Sequence, residues 1–281
     1  MAFTTIISSE ELYERLGNPQ LAVIDCRHAL ADFALGRQLY DESHLPGAFF
    51  ARVEDDLAGA KTGRNGRHPL PDPHDFARFL RACGVGDSTQ IVAYDAGADM
   101  FAPRFWFLCR WIGHETVAVL DGGFTQWNLR GYPVTAAPAP APKEGTLTVR
   151  LHPEYLVDVR YVGEHLNAPE MQLLDARAKE RYTGETEPID PVAGHIPGAR
   201  NRWFKENFAP DGRLKSRAEL RAEFELAGLD SKRTVHQCGS GVSAAVGHFA
   251  MVHAGLEGSR IYNGSWSEWV ADPSRPVASG A

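Results

Sequence analysis

The chain has 281 residues, of which 43% are hydrophobic and 23% are charged, as is typical of a globular protein with a buried core. Its formal net charge of −7 argues against a nucleic-acid partner and against an anionic membrane surface. No apolar run approaches the roughly 20 residues that cross a bilayer, and the first residues lack the basic and apolar regions of a secretory signal. We therefore expect neither a membrane nor a nucleic acid as a partner.

Strand and helix signals alternate along the chain. Three short apolar runs in the first half predict strands buried on both faces: 21–24, 90–94 and 116–120. Asp72 as N-cap, Pro73 at the first helical position and Gly84 as terminator predict a helix at 72–84, between the first two of these runs. Ser216 and Glu219 predict a capping box on a later helix. This alternation predicts an α/β fold, in which helices flank a mainly parallel sheet.

The sequence repeats itself once. Four segments of the first half return in the same order in the second half: "AVIDCR" (22–27) as "QLLDAR" (172–177), "SHLPGA" (43–48) as "GHIPGA" (194–199), "DGGFTQW" (121–127) as "NGSWSEW" (263–269), and "YPV" (132–134) as "RPV" (275–277). We predict two copies of one domain at 1–134 and 146–281. The alternating Ala-Pro stretch at 135–145 is typical of an extended linker between them.

Polar residues that occur in both copies are interpreted as residues that shape the fold. A residue that the copy without a site also keeps is better explained by packing than by chemistry. These residues are His44 with His195, and Asp25–Arg27 with Asp175–Arg177.

The four cysteines, Cys26, Cys83, Cys109 and Cys238, form no C-x-x-C pair. Without an export signal, disulfides are not expected, and we predict reduced thiols in the cytosol. The spacing suggests no zinc ligand set, so neither a metal nor another cofactor is expected.

Cys238 stands in "HQCGSGVSAAVG" (236–247), where glycines replace the apolar neighbours of a structural cysteine. Aligning the copies places it opposite Asp95, so only the second copy has a thiol. Gly239 and Gly241 follow a predicted strand at 233–237 and precede a helix start, where backbone N–H groups can turn inward. Such groups favour negative charge on the sulfur, and we predict a nucleophilic thiolate that can also hold a persulfide. The alternative is an inert buried cysteine.

The loop "CGSGVSA" (238–244) resembles that of the mercaptopyruvate-using branch of the two-domain rhodanese family of sulfurtransferases, and the repeated segments match that family over almost the whole chain. The resemblance implies two tandem rhodanese-like three-layer domains, of which the second is catalytic. Cys238 would be the nucleophile, and Arg181, within "ERY", would bind the anionic group of the donor. The remaining substrate-binding residues implied are Gly239, Gly241, Val242, Ser243 and Ala244.

The family also has a relay of an acid, a histidine and a serine. By resemblance this relay maps onto Glu54, His68 and Ser240, with Asp55 or Asp56 as alternatives for the acid.

The implied donor is 3-mercaptopyruvate, because thiosulfate-using relatives have basic residues directly after the cysteine, where this chain has Gly239 and Ser240. Thiosulfate stays open as the alternative, since the second arginine usual in the mercaptopyruvate branch has no counterpart at 184–194. The implied acceptor is cyanide, a small thiol or a thioredoxin-like protein, and a monomer is expected.

Two other classes of protein fit the sequence less well. A cysteine phosphatase of the C-x5-R type needs an arginine six residues after the cysteine, where this chain has Ala244. A non-catalytic sulfur-sensing module would not need the intact loop around Cys238.

Overall fold

The computed structural model describes residues 2–29 and 32–280 and divides into two compact units. Unit 1 comprises Met1–Ala58, Pro71–His152 and Phe208–Leu214, and unit 2 comprises Gly59–Leu70, Pro153–Asn207 and Lys215–Ala281. Met1 and Ala281, the outer ends of the two predicted domains, and Leu30 and Ala31 lie outside the described residues.

Unit 1 contains a five-stranded parallel sheet in the order β1-β5-β4-β2-β3. Its strands are β1 (Ile6–Ile7), β2 (Leu21–Asp25), β3 (Phe49–Phe50), β4 (Gln90–Tyr94) and β5 (Val117–Leu120). Its helices are α1 (Ser9–Tyr13), α2 (Phe33–Glu42), α3 (Pro73–Ala82), α4 (Phe101–Trp111) and α5 (Gly123–Leu129).

Unit 2 repeats this plan, with a parallel sheet in the order β6-β10-β9-β7-β8. Its strands are β6 (Leu156–Val157), β7 (Gln172–Asp175), β8 (Arg200–Asn201), β9 (Thr234–Gln237) and β10 (Arg260–Tyr262). Its helices are α6 (Val159–Glu164), α7 (Lys179–Thr183), α8 (Arg217–Leu226), α9 (Ala244–His253) and α10 (Ser265–Trp269), with 3-10 turns at Pro153–Tyr155 and Phe204–Asn207. The predicted α/β class, with two similar sheets flanked by helices, is confirmed.

The predicted helix boundaries are confirmed where a cap marks them. Asp72 accepts hydrogen bonds from the N–H groups of His74 and Asp75 at the start of α3. On α8, Ser216 and Glu219 form a reciprocal capping box, in which each side chain accepts from the other's N–H. Capping satisfies amides that the first helical turn leaves unpaired, which is why short polar signals fix these ends.

The compact units divide the chain differently from the predicted boundaries, which stay a prediction. Residues 59–70 stand in the first half of the sequence but belong to unit 2, and residues 208–214 do the reverse. The Ala-Pro stretch is held by unit 1: Thr135 pairs with His44 through the backbone, and the Gly145 N–H donates to the Arg81 carbonyl at 2.8 Å. Main-chain hydrogen bonds therefore fix both ends of the predicted linker.

An aspartate at the carboxyl end of a strand holds a buried arginine in each unit. In unit 1, Arg27 donates to both carboxylate oxygens of Asp25 and to the Ser43 carbonyl. In unit 2, Arg177 binds Asp175 in the same way and also donates to the Gly194 carbonyl at 2.7 Å. The arginine thus ties the strand end to the turn that carries the repeated histidine, as the sequence predicts for fold-shaping residues.

The two repeated histidines have equivalent surroundings. The His44 ring stacks on Tyr40 at 3.9 Å between centroids, and the His195 ring stacks on Tyr182 at 4.0 Å. One ring nitrogen of each histidine lies within hydrogen-bond distance of the carbonyl of that same tyrosine. Their structural interpretation is consistent with these contacts.

The described helices include none that is both long and apolar enough to cross a lipid bilayer.

Replacing Arg27 by Met is expected to lower the free energy of unfolding of unit 1 by about 3–5 kcal/mol, because the buried Asp25 carboxylate would lose its cation. The matched control is Arg37→Met, since Arg37 forms a surface ion pair with Asp41 and such pairs contribute little. Urea unfolding followed by tryptophan fluorescence compares the two variants. Equal unfolding midpoints would contradict the stabilising role of the buried pair.

Candidate functional site

Cys238 directly follows β9, the central strand of the unit 2 sheet, and α9 begins six residues later. The carboxyl end of a central parallel strand is where ligands bind in open α/β sheets. The thiol is 1% exposed, whereas the sequence suggested that nothing bulky covers it.

The loop after Cys238 brings a backbone amide to the sulfur. The Gly241 N–H donates to Sγ of Cys238 at 3.0 Å, so one backbone N–H group of the loop turns inward to the sulfur. Gly241 has a φ of +87°, and a Cβ there would lie 2.2 Å from the Asn263 carbonyl oxygen. Only glycine combines this backbone conformation with this close approach.

Ser265 supports Cys238 from the other side of the loop, and sequence reasoning did not identify it. Its hydroxyl accepts from the Cys238 N–H at 3.1 Å and donates to the Tyr262 carbonyl. Ser265 has a φ of +55°, which is unfavourable for a residue with a Cβ, and its counterpart in unit 1 is Gly123 at +57°. The alignment of the two copies could have indicated Ser265, because it stands where the first copy has Gly123.

His68 and Ser240, two of the three predicted relay residues, lie together in unit 2. The distance between His68 Nδ1 and Ser240 Oγ is 2.8 Å, and both residues are buried. The segment that carries His68 is fixed by the Asn263 side-chain amide, which donates to the His68 carbonyl at 3.1 Å. It is also fixed by the Arg67 N–H, which donates to Ser267 Oγ at 3.0 Å.

Two guanidinium groups lie against Gly239, the residue after Cys238. A Cβ on Gly239 would lie 2.9 Å from Nη2 of Arg67 and 3.3 Å from Nη1 of Arg181. The sequence predicted Arg181 but missed Arg67, which directly precedes the relay histidine. Arginines therefore approach the loop at the point where thiosulfate-using relatives are expected to carry a basic side chain.

Two buried carboxylates hold these arginines. Arg181 donates to Glu187 Oε1 at 2.7 Å and to Asp190 Oδ2 at 3.1 Å. Arg67 donates to the other oxygen of Asp190. Glu187 also accepts from Arg177 at 3.3 Å, which links the site to the fold-shaping pair described above.

The pKa of Arg67 reflects its place beside the thiol. Burial lowers the pKa of the Arg67 guanidinium, and the negative charge of an ionised Cys238 opposes this effect. The neighbouring Arg181 lowers the pKa of Arg67 further, while Glu187 raises it. The Arg67 guanidinium is therefore close enough to the Cys238 sulfur for their charges to interact.

Glu54, the predicted acid of the relay, belongs to unit 1. Its carboxylate lies 3.3 Å from Nε2 of His28, whose pKa is lowered by burial against the opposing charge of Glu54. The alternative acids, Asp55 and Asp56, both form ion pairs with Arg52. All three acids thus have a partner within unit 1, and which of them joins the relay stays a prediction.

The other predicted loop residues, Val242, Ser243 and Ala244, are buried at the start of α9. Within the described part of the chain, no group of three or more His, Cys, Asp or Glu side chains is arranged to hold a metal ion.

The equivalent position in unit 1 has a different chemistry. The Asp95 carboxylate accepts hydrogen bonds from the N–H groups of Gly97 at 3.0 Å and Ala102 at 2.9 Å. Burial raises the pKa of Asp95, and these amides oppose the rise. In unit 1 the Asp95 side chain therefore accepts the hydrogen bonds of these backbone N–H groups.

The remaining three cysteines are free and buried in unit 1. Burial raises the pKa of Cys26 and of Cys109 well above the ordinary value, and it raises the pKa of Cys83 to about 12. At neutral pH these thiols stay protonated and are poor nucleophiles.

Comparison with known proteins points to one family. The family model of the Rhodanese-like domain matches residues 8–130 and 158–272. A Pseudomonas aeruginosa protein described as a probable 3-mercaptopyruvate sulfurtransferase is 43% identical over 284 residues, covering 100% of both chains. The thiosulfate sulfurtransferase of Bos taurus is 35% identical over 291 residues, covering 99% of this chain and 96% of its own.

A solved structure of a related protein has the same fold over most of the chain. The crystal structure of SseA from Escherichia coli, reported for the fold and mechanism of 3-mercaptopyruvate sulfotransferases, superimposes with a TM-score of 0.81 at 30% identity. It covers 94% of this chain and 99% of its own. Since the two matched domains span most of the sequence, the chain belongs to the rhodanese family.

Proposed function

We propose that the protein is a sulfurtransferase that moves sulfane sulfur from 3-mercaptopyruvate to a thiol or to cyanide through a persulfide on Cys238. The observation that carries this proposal is the Cys238 sulfur, which accepts the Gly241 N–H in a loop flanked by Arg67 and Arg181. A buried thiol with an amide donor and two nearby cations is suited to nucleophilic attack. Relatives named as sulfurtransferases support the same reaction class.

In the first step, the Cys238 thiolate attacks the sulfur of the donor. A new S–S bond forms, the C–S bond of mercaptopyruvate breaks, and its electron pair leaves on carbon as the enolate of pyruvate. Arg181 and Arg67 bind the donor carboxylate and orient the sulfur for attack, since guanidinium groups match carboxylate geometry. Arg67 thereby replaces the second arginine, which has no counterpart at 184–194.

The enolate must gain a proton on carbon to become pyruvate. The His68–Ser240 pair supports this step, because the Ser240 hydroxyl lies in the loop and can pass on a proton that His68 replaces. Glu54 is proposed to assist as the acid of the relay. In the second step an acceptor thiolate or cyanide attacks the outer sulfur, and Cys238 leaves as the thiolate.

A thioredoxin-like protein acceptor, a monomeric state and a reducing compartment such as the cytosol belong to the same proposal. The compartment is supported by the four free cysteines.

The second candidate is a thiosulfate sulfurtransferase. Two arginines beside Gly239 would also suit a dianionic donor, and the Bos taurus relative carries that name. Steady-state kinetics with both donors decide between the candidates. The proposal requires the larger kcat/KM with mercaptopyruvate, and the larger value with thiosulfate would overturn the choice of donor.

Replacing Cys238 by Ser is expected to abolish sulfur transfer from both donors. Mass spectrometry after incubation with donor should show the mass of one added sulfur on the wild-type chain and none on the variant. The matched control is Cys83→Ser, because burial keeps the Cys83 thiol protonated with a pKa of about 12. Sulfur uptake by the Cys238 variant would refute the assigned nucleophile.

Replacing His68 by Asn is expected to lower kcat with mercaptopyruvate about 100-fold, as for the loss of a general acid. The loss with thiosulfate should be smaller, because sulfite leaves without protonation of a carbon atom. His74→Asn serves as the control, since His74 is an exposed residue of α3. Equal losses with the two donors would argue against proton transfer by His68.

Replacing Arg67 by Met is expected to raise KM about tenfold for mercaptopyruvate and by more for thiosulfate, because the variant loses a charge-assisted hydrogen bond and a site charge that acts more strongly on a dianion. Arg64→Met removes an exposed arginine of the same segment and should leave KM unchanged. Initial rates at varied donor concentration measure both variants. An unchanged KM in the Arg67 variant would remove it from the donor site.

A further inference from the structure

The arginines beside the catalytic loop belong to a balanced cluster of charges in unit 2. Ion pairs join three guanidinium groups to three carboxylates: Arg67, Arg177 and Arg181 with Asp175, Glu187 and Asp190. The formal charge of the cluster is therefore zero. Arg177 is fully enclosed, with 1% of its side chain exposed, while Arg67 and Arg181 keep 29% and 19% exposed. Only these last two can meet a donor.

Asp190 is the carboxylate shared by the two donor-facing arginines. One oxygen accepts from Arg67 and the other from Arg181, and the side chain is only 3% exposed. Its backbone N–H donates to Glu187 Oε1 at 3.1 Å, and prolines flank it at 188 and 191. Both features restrict the backbone, so the carboxylate is held in place between the two cations.

Asp190 also stands in the stretch 184–194, where the mercaptopyruvate branch is expected to carry its second arginine. This chain therefore has an anion in a segment where a cation was expected, and a cation at position 67 instead. Compared with the expected pattern, this chain still has two arginines that can face the donor, but it has one additional negative charge beside them.

We infer that Asp190 sets the donor preference by cancelling one positive charge at the anion-binding site. This inference rests on the proposed sulfurtransferase function. A site charge interacts with a donor in proportion to the donor's charge. Mercaptopyruvate carries one negative charge on its carboxylate and thiosulfate carries two, so the Asp190 carboxylate disfavours thiosulfate more strongly. Asp190 is a specificity-determining residue that acts through Arg67 and Arg181.

The test compares kcat/KM for thiosulfate and for mercaptopyruvate in the wild type and in Asp190→Asn. Asparagine keeps the size of the side chain and one oxygen acceptor but removes the charge. The ratio of thiosulfate to mercaptopyruvate kcat/KM is expected to rise about tenfold. The ratio should also fall more steeply with added salt than in the wild type, because salt screens the dianion more strongly. A merely structural role would not change this salt dependence.

Three further variants complete the test. Asp190→Glu keeps the charge and should retain the wild-type ratio, and Asp190→Ser is a second neutral substitution in case the asparagine variant does not fold. Glu225→Gln removes a carboxylate that pairs with Arg221 at the surface of α8 and should leave the ratio unchanged. An unchanged ratio in the neutral variants, or an equal loss with both donors, would overturn the inference. If the wild type transfers sulfur from neither donor, the proposed function fails instead.

Discussion

The site depends on the absence of side chains at two positions of the loop after Cys238. At Gly241 a Cβ would meet the Asn263 carbonyl oxygen, and without this approach the Gly241 N–H could not reach the sulfur. At Gly239 a Cβ would meet the guanidinium groups of Arg67 and Arg181. The first glycine therefore gives the thiol its amide donor, and the second leaves room for the flexible guanidinium ends beside the loop.

The two units show how one backbone plan supports different chemistry. In unit 1 the Asp95 carboxylate takes the backbone amides of its own turn, and Gly123 adopts the left-handed conformation beside it without strain. In unit 2 the corresponding residues are Cys238 and Ser265, and the serine accepts an unfavourable φ while its hydroxyl holds the Cys238 N–H. Strain of this kind is found where it serves a site.

Local signals in the sequence predicted the fold well, because caps and buried strands are encoded within a few residues. The repeat is found by comparing the two halves of the sequence, and the glycines around Cys238 are a local signal. The resemblance added Arg181, His68 and Ser240. Arg67 and Asp190 were out of reach for a physical reason: they stand 123 residues apart in the chain and meet only in the folded unit. Burial of Cys238 was also missed, since residues near it in the folded unit, such as Arg67 and Ser265, are distant in the sequence.

Residues 59–70 precede the Ala-Pro stretch in the sequence, but they belong to unit 2. A second half that began after the Ala-Pro stretch would contain all five strands of its sheet but would lack the segment that carries Arg67 and His68. The second copy has thus become dependent on amino acids encoded in the first. Removing either half of the sequence would therefore remove residues of the proposed site.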